Sequence, residues 1–181
     1  MKFKTAHGRV KHEIAGPLAE AKLADVDLAG VRLAGLDLRH ANFSGAILTG
    51  ADFSGAILQD ACFDGANLEG ARFDDADMRR ARMRHADLYG ASFWSTDLAD
   101  ADLESARLRG VDLKHAVLVR ANLKHANLGA DNLGGCTQLQ GADLTQAQLA
   151  GANLRDAEYD SDTLLPEGLN TQNAGMQHRA A

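Results

Sequence analysis

Histidine, cysteine and acidic side chains are the residue types in this chain that could bind a metal ion or act in catalysis. The 181 residues include seven histidines and two cysteines. They form no H-E-x-x-H, C-x-x-C or G-x-S-x-G pattern, and the chain has no glycine-rich phosphate-binding loop. Acidic pairs are frequent, but they recur at a fixed interval, so pairing does not indicate acid–base chemistry. We therefore predict no enzyme, no catalytic residue, no metal site and no cofactor.

The fixed interval is five residues. Between Ala41 and Leu128 a small residue, a mostly polar residue, a large apolar residue and two variable residues recur, as in ANFSG AILTG ADFSG. Steps of five would spread the apolar side chains around a helix, and would alternate them between the faces of a strand. A backbone that turns a corner after every five residues would instead wrap around one axis. Each short extended segment between two corners, which we call a side, would then point its large apolar side chain inward.

Glycine indicates how many sides make one coil, because it accepts the positive φ of tight turns. It recurs every twenty residues, at Gly30, Gly50, Gly70, Gly90 and Gly110. A spacing of twenty gives four sides per coil in a β-solenoid whose hand the geometry leaves open. Such convex sides would offer no cleft for a substrate.

The repeat resembles the A(D/N)LXX pattern of the pentapeptide-repeat proteins, which ADFSG, ANLEG, ADLYG and ANLRD match. The resemblance covers residues 21–162. It implies an all-β fold, a right-handed quadrilateral β-helix of about seven coils of four pentapeptides, with short caps outside the repeat.

Three segments follow from this pattern: an N-terminal cap over 1–20, the solenoid over 21–162, and a C-terminal cap and tail over 163–181. The spacing breaks once, where Leu133 is followed by Leu139. This break predicts a one-residue irregularity near 131–138.

Apolar residues also lie beyond the repeat. We predict that they cover the end of the core or, if uncovered in the monomer, form the surface of an end-to-end homodimer. These residues are Leu164, Leu165, Leu169 and Met176.

The charge is acidic overall and uneven along the chain. The formal net charge is −6, which argues against direct nucleic-acid binding. Residues 52–77 are strongly acidic and are followed by a basic belt, Arg79, Arg80, Arg82 and Arg84. No apolar run approaches the ~18 residues of a membrane span, and the N-terminal residues lack the apolar region of a signal peptide. We expect a cytoplasmic protein with no membrane contact.

Two aromatic residues form the candidate binding surface. Tyr89 and Trp94 each follow a large apolar residue, so both should point outward on adjacent sides of one coil. Arg109 and Lys114 should lie one coil further along, beneath them. Exposed aromatic rings beside cations are typical of protein-binding hot spots. The alternative is that each ring simply stacks on its cation.

These observations favour a non-enzymatic protein-interaction scaffold, a rigid rod that binds a protein partner of unknown identity through its outer faces or its end. The alternative is a DNA-mimicking modulator of a type II topoisomerase such as DNA gyrase, as the resemblance to the quinolone-resistance members implies. The negative charge is compatible with that alternative. The basic belt, the alternating charges and the absence of a projecting insertion argue against it.

Overall fold

The computed structural model describes residues 2–4, 10–13, 18–131 and 133–179. Within these ranges there are four strands of two to four residues: β1 (Lys2–Lys4), β2 (Val10–Glu13), β3 (Glu158–Tyr159) and β4 (Gln177–His178). Most of the remaining backbone pairing consists of single parallel bridges between successive coils. In this part of the chain, no helix has the length and apolar character needed to cross a bilayer.

The bridges define the stack. Lys22 pairs with Asn42 and Asp27 pairs with Ile47, so each side of a coil lies against the residues 20 positions later. Each coil has four such sides, which we number by the buried large residue that each contributes. Side 1 holds Leu23, Phe43, Phe63, Met83, Leu103 and Leu123; side 2 holds Leu28, Leu48, Leu68, Leu88, Leu108 and Leu128; side 3 holds Leu33, Phe53, Phe73, Phe93, Leu113 and Leu139; side 4 holds Leu38, Leu58, Met78, Leu98, Leu118 and Leu144.

Each side ends in a tight turn. The Ala46 amide donates to the Phe43 carbonyl at 3.0 Å, and Gly45, the third residue of the turn, has φ of +65°. Positive φ at this position alone is the geometry of a type II turn, which favours glycine. The predicted corner glycines fit this role, since Gly30 and Gly110 both have φ of +66°.

The interior is packed with aromatic and aliphatic side chains. Phe43 stacks on Phe63, and Phe73 stacks between Phe53 and Phe93, with 4.9 Å between ring centroids in each pair. This distance matches the spacing of neighbouring strands, because the rings repeat once per coil. Rings from sides 1 and 3 meet edge to face near the axis. Alanine in the small position of each side leaves room for them.

The irregularity after side 2 of one coil is larger than the sequence predicted. Earlier bridges join residues 20 apart, whereas Asp112 pairs with Gln138, 26 residues later. Six residues are therefore inserted at this corner, not one.

The inserted segment is DNLGGC, residues 131–136, which we call the corner loop. Without it, Ala130 would be followed by TQLQG and the five-residue pattern would continue. Leu133, which the spacing placed in the core, is 89% exposed. It misled the prediction because it lies five residues after Leu128 while belonging to the loop. The expectation that the rod carries no insertion was wrong for the same reason.

At the N-terminal end, β1 and β2 form an antiparallel pair with a register shift between Phe3 and Lys4. Leu18 packs partly against the core. The rest of the predicted N-terminal cap lies outside the described residues. At the other end, β4 pairs in parallel with β3, so ordered pairing continues through residue 178 in the segment predicted as cap and tail.

Candidate protein-interaction surface

An open groove of about 430 Å³ lies on side 2, next to the corner loop. Its walls come from three neighbouring coils and from the loop, which folds back over side 2. The expectation that convex sides offer no cleft was therefore wrong at this position. The lining residues are Glu69, Asp87, Tyr89, Arg107, Arg109, Asp131 and Leu133.

Side-chain hydrogen bonds fasten the corner loop to side 2. The Tyr89 hydroxyl donates to Asp131 Oδ2 at 2.7 Å, and Arg109 Nε donates to the Ala130 carbonyl at 3.1 Å. Asp131 Oδ1 also accepts from the backbone amides of Leu133 at 2.8 Å and Gly135 at 2.7 Å. The five-residue spacing alone would give Asp131 an inward position, but its carboxylate instead organises the loop.

The same bonds shift the ionisation of both partners. The hydrogen bond to Asp131 raises the pKa of the Tyr89 phenol, and partial burial adds to the shift. The hydrogen bonds from Tyr89 and from the Gly135 amide hold the pKa of Asp131 below its usual range. Both shifts favour the neutral phenol and the charged carboxylate, which is the pair that keeps the loop in place.

Glycine is required within the loop. A Cβ added at Gly135 would lie 2.6 Å from Asp131 Oδ2, and Gly134 has φ of +85°. A side chain at position 135 would have to displace the carboxylate that holds the loop. The loop conformation therefore depends on these two glycines.

The predicted aromatic pair divides between two sides. Tyr89 and Arg109 meet in the groove on side 2, where Tyr89 is half-buried. Trp94 lies on side 3 and is 43% exposed. Its ring packs edge-on against His115, with centroids 6.1 Å apart. Lys114 is half-buried on the same side, and its backbone amide donates to Asp112.

The basic belt is matched by acidic residues. Arg80 forms two hydrogen bonds to Asp60, at 2.9 and 2.7 Å, which lower the pKa of Asp60 and raise that of Arg80. The other three arginines are also paired. The pairs are Arg79 with Asp77, Arg82 with Asp64, and Arg84 with Asp102. Much of the acidic zone and the basic belt therefore neutralise each other locally.

The residues predicted as end cap or dimer surface differ in exposure. Met176 is 8% exposed, and Leu165 and Leu169 pack partly against the core. Leu164 points outward and is 54% exposed. The end of the rod is thus largely covered by its own chain.

The sequence analysis missed Glu69, Asp87, Arg107, Asp131 and Leu133 as groove residues. The available signal was the pair Gly134–Gly135 together with the restart of the repeat at Thr137. In the part of the chain that the structure describes, no group of three His, Cys, Asp or Glu side chains could hold a metal ion.

The repeat pattern, the four-sided stack and its turns define a repeat protein, and the family comparison identifies which kind. The family model of pentapeptide repeats matches in eight copies, over residues 21–60, 61–93, 96–129 and 136–158. The chain therefore belongs to the pentapeptide repeat family. Most of the corner loop falls between the last two matched segments.

Solved structures of this family resemble the chain. HetL, a pentapeptide repeat protein involved in heterocyst differentiation regulation from the cyanobacterium Nostoc sp. strain PCC 7120, is 30% identical, with 90% of this chain and 72% of HetL covered and a TM-score of 0.67. A pentapeptide repeat protein of the Arabidopsis thaliana thylakoid lumen is 30% identical, with 78% and 73% covered and a TM-score of 0.37. QnrB1, a plasmid-mediated fluoroquinolone resistance protein, is 20% identical, with 88% and 80% covered and a TM-score of 0.40.

Pentapeptide repeat structures imply a right-handed quadrilateral β-helix for this chain. No curated protein sequence matches it significantly.

Proposed function

We propose that this protein is a non-enzymatic interaction scaffold, a rigid right-handed rod of about seven coils that binds a protein partner across sides 2 and 3. One observation carries the proposal: the corner loop builds a groove around Tyr89 and Arg109, and the adjacent side of the same coil exposes Trp94. Exposed tryptophan beside a pre-formed groove is the kind of surface that supplies binding energy. Elsewhere the outward arginines of the belt are occupied by ion pairs.

The likeness to HetL supports this proposal. HetL shares the fold at 30% identity and is described as involved in the regulation of heterocyst differentiation. Pentapeptide repeat proteins are generally structural or interaction scaffolds. A regulatory interaction therefore fits the family better than a chemical reaction would.

Partner capture tests the scaffold proposal. The protein, immobilised on a support, is exposed to a lysate of its source organism, and the captured proteins are compared between the wild type and Trp94→Ala. We expect one or a few proteins to be lost from the variant and retained by Ile57→Ala, which removes an exposed apolar side chain from side 4. Identical capture by all three proteins would contradict a role for Trp94.

The corner loop is an insertion of the kind whose absence the sequence analysis counted against the topoisomerase alternative. It is therefore an observation in favour of that alternative. The paired charges count against it, because they break the acidic surface into short segments that do not resemble a line of phosphates. A gyrase supercoiling assay, with and without a quinolone, decides between the two. If the protein alters neither supercoiling nor drug inhibition, the alternative is excluded.

An end-to-end homodimer would have to form through Leu164, since Leu165, Leu169 and Met176 are at least partly covered. Light scattering of the wild type and of Leu164→Glu tests this arrangement. A dimer that dissociates in the variant would support it, and a monomer in both would exclude it.

A further inference from the structure

The charges in the side 2 groove do not balance. Arg107 Nη1 lies 2.9 Å from Asp87 Oδ2, and Arg109 interacts with the Asp131 carboxylate. Arg107 and Asp87 thus form an ion pair, whereas Arg109 bonds the Ala130 carbonyl close to Asp131. Glu69 is the third acid of the lining, and its carboxylate makes no hydrogen bond or ion pair with any residue that the structure describes.

The groove also has apolar walls beside this carboxylate. Glu69 and Tyr89 occupy the same position in successive coils, so they lie about 4.8 Å apart along the rod, the spacing of neighbouring strands. Leu133 also lines the groove and is exposed at the surface of the corner loop. An aromatic ring, an isobutyl group and an unmatched carboxylate therefore face one open space.

We propose that this groove binds an arginine side chain presented by the protein partner, with its guanidinium on Glu69 and its aliphatic stem along Tyr89 and Leu133. A planar guanidinium can form two parallel hydrogen bonds to a carboxylate and stack on an aromatic face, whereas an ammonium acts as a point charge. An anionic ligand fits poorly, because three acids and only two arginines line the groove. This inference deepens the proposed scaffold function and rests on it.

The groove is prepared for such a ligand before binding. The Tyr89 hydroxyl is engaged with Asp131 and the loop is closed by the Asp131 amide, which donates to the Gly135 carbonyl at 2.8 Å. The Tyr89 ring and the loop backbone therefore need little ordering when a ligand arrives, and ordering is a large part of the free-energy cost of binding. The loop residues act as positioning residues, and Glu69 supplies the charge.

An NMR titration of the full chain with N-acetyl-arginine amide tests the inference. We expect saturable shifts of the amides of Glu69, Tyr89 and Leu133, with a dissociation constant on the order of millimolar, as suits a single side chain. N-acetyl-citrulline amide has nearly the same shape without the charge, and it should produce no saturable shift. No saturation with the arginine compound, or equal binding of both compounds, would overturn the proposal.

Matched variants locate the site. Glu69→Gln should weaken binding about tenfold or more, because the neutral amide loses the charge-assisted hydrogen bonds. Glu104→Gln changes a glutamate on side 1 and should leave binding unchanged. Leu133→Ala should weaken binding a few-fold by removing one wall. Equal binding by wild type and Glu69→Gln would refute the assignment of the guanidinium to Glu69.

The two proposals can fail separately. If the arginine compound does not bind while Trp94→Ala still loses a captured partner, the scaffold proposal stands and the groove inference falls. If the compound binds at Glu69 but no captured protein depends on Trp94, the groove binds arginine as proposed. The proposal that a protein partner binds at Trp94 then falls.

Discussion

The regular coils and the corner loop keep their shapes by different means. In the regular coils, most backbone amides bond a carbonyl 19 or 21 residues away or close a turn, so the same backbone bonds recur from coil to coil although the outward side chains differ. In the corner loop, the shape depends on individual side chains: the Tyr89 phenol, the Asp131 carboxylate and the Arg109 guanidinium.

This difference separates stability from recognition. The coils bury one large apolar residue per side, and that burial stabilises the rod. The loop leaves Leu133 exposed and contributes little to the core, yet it creates the groove. Substitutions in the two regions should therefore affect different measurements.

The largest expected effect comes from the core of the regular coils. Phe73 stacks between Phe53 and Phe93 and meets Phe63 edge to face. Phe73→Ala should lower the free energy of unfolding by ~3–5 kcal/mol, because it removes apolar contacts and leaves a cavity that rigid neighbouring coils cannot fill. Urea denaturation followed by circular dichroism measures the loss.

Leu133→Ala is the comparison for this prediction. It deletes a large apolar side chain from the corner loop, where that side chain is exposed, so the free energy of unfolding should change by less than ~0.5 kcal/mol. Comparable losses in both variants would show that the loop is part of the core and would break the distinction between the two regions.

The regular coils could be predicted from the sequence because their physics is local and repeated. A small residue at Ala46, a large one at Leu48 and a glycine at Gly50 fit the buried side and the turn, and the pattern recurs often enough to fix the four sides. The groove could not be predicted in this way. Tyr89 meets Asp131 across 42 positions of sequence, and nothing in the five-residue pattern relates the two. Leu133 also has the spacing of a core residue although it lies in the loop.

Two buried threonines allow a direct comparison of the regular coils with the region of the corner loop, because in each a threonine hydroxyl donates to a backbone carbonyl. Thr96 Oγ1 donates to the Phe73 carbonyl in a regular coil, and Thr137 Oγ1 donates to the Leu108 carbonyl immediately after the corner loop. The Phe73 carbonyl also accepts from the Ala76 amide. Among the described residues, the Leu108 carbonyl has Thr137 as its sole hydrogen-bond donor.

Thr137→Val should therefore cost more stability than Thr96→Val. The first leaves a buried carbonyl without a donor, at ~1–3 kcal/mol, whereas the second removes one of two donors, at ~0.5–1.5 kcal/mol. Thermal and urea unfolding of both variants measure the difference. The reverse order would indicate that the coil after the loop is loosely packed and admits water to the Leu108 carbonyl.

Because of the outward ion pairs of the regular coils, the stability of the fold should decrease at acidic pH. Arg39 donates two side-chain hydrogen bonds to Asp37, and these hold the Asp37 pKa at about 2, below the ordinary 3.8. Since the folded pKa is the lower one, the stabilisation is fully present above pH ~4 and is lost as the pH falls toward 2. Hydrogen bonds from arginine lower the pKa values of Asp60 and Asp100 in the same direction.

The midpoint of thermal unfolding, measured from pH 5 to pH 2, should therefore fall less steeply for Asp37→Asn than for the wild type. Asp75→Asn, which removes a carboxylate with no arginine partner among the described residues, serves as the control for the loss of one acid. Parallel curves for wild type and Asp37→Asn would mean that the pair does not persist in solution.

The smallest effect concerns the fastening of the corner loop. The hydrogen bond to Asp131 raises the pKa of the Tyr89 phenol, so its contribution is present below the ordinary value near 10 and is lost as the pH rises through the folded value. In a Tyr159→Phe background, Asp131→Asn should lower the Tyr89 pKa toward that ordinary value, as followed by absorbance of the phenolate, with little change in unfolding. Asp112→Asn, on side 3, should leave the titration unchanged. If Asp131→Asn also leaves it unchanged, the loop is not held by Tyr89, and the groove loses the wall that distinguishes this coil from its regular neighbours.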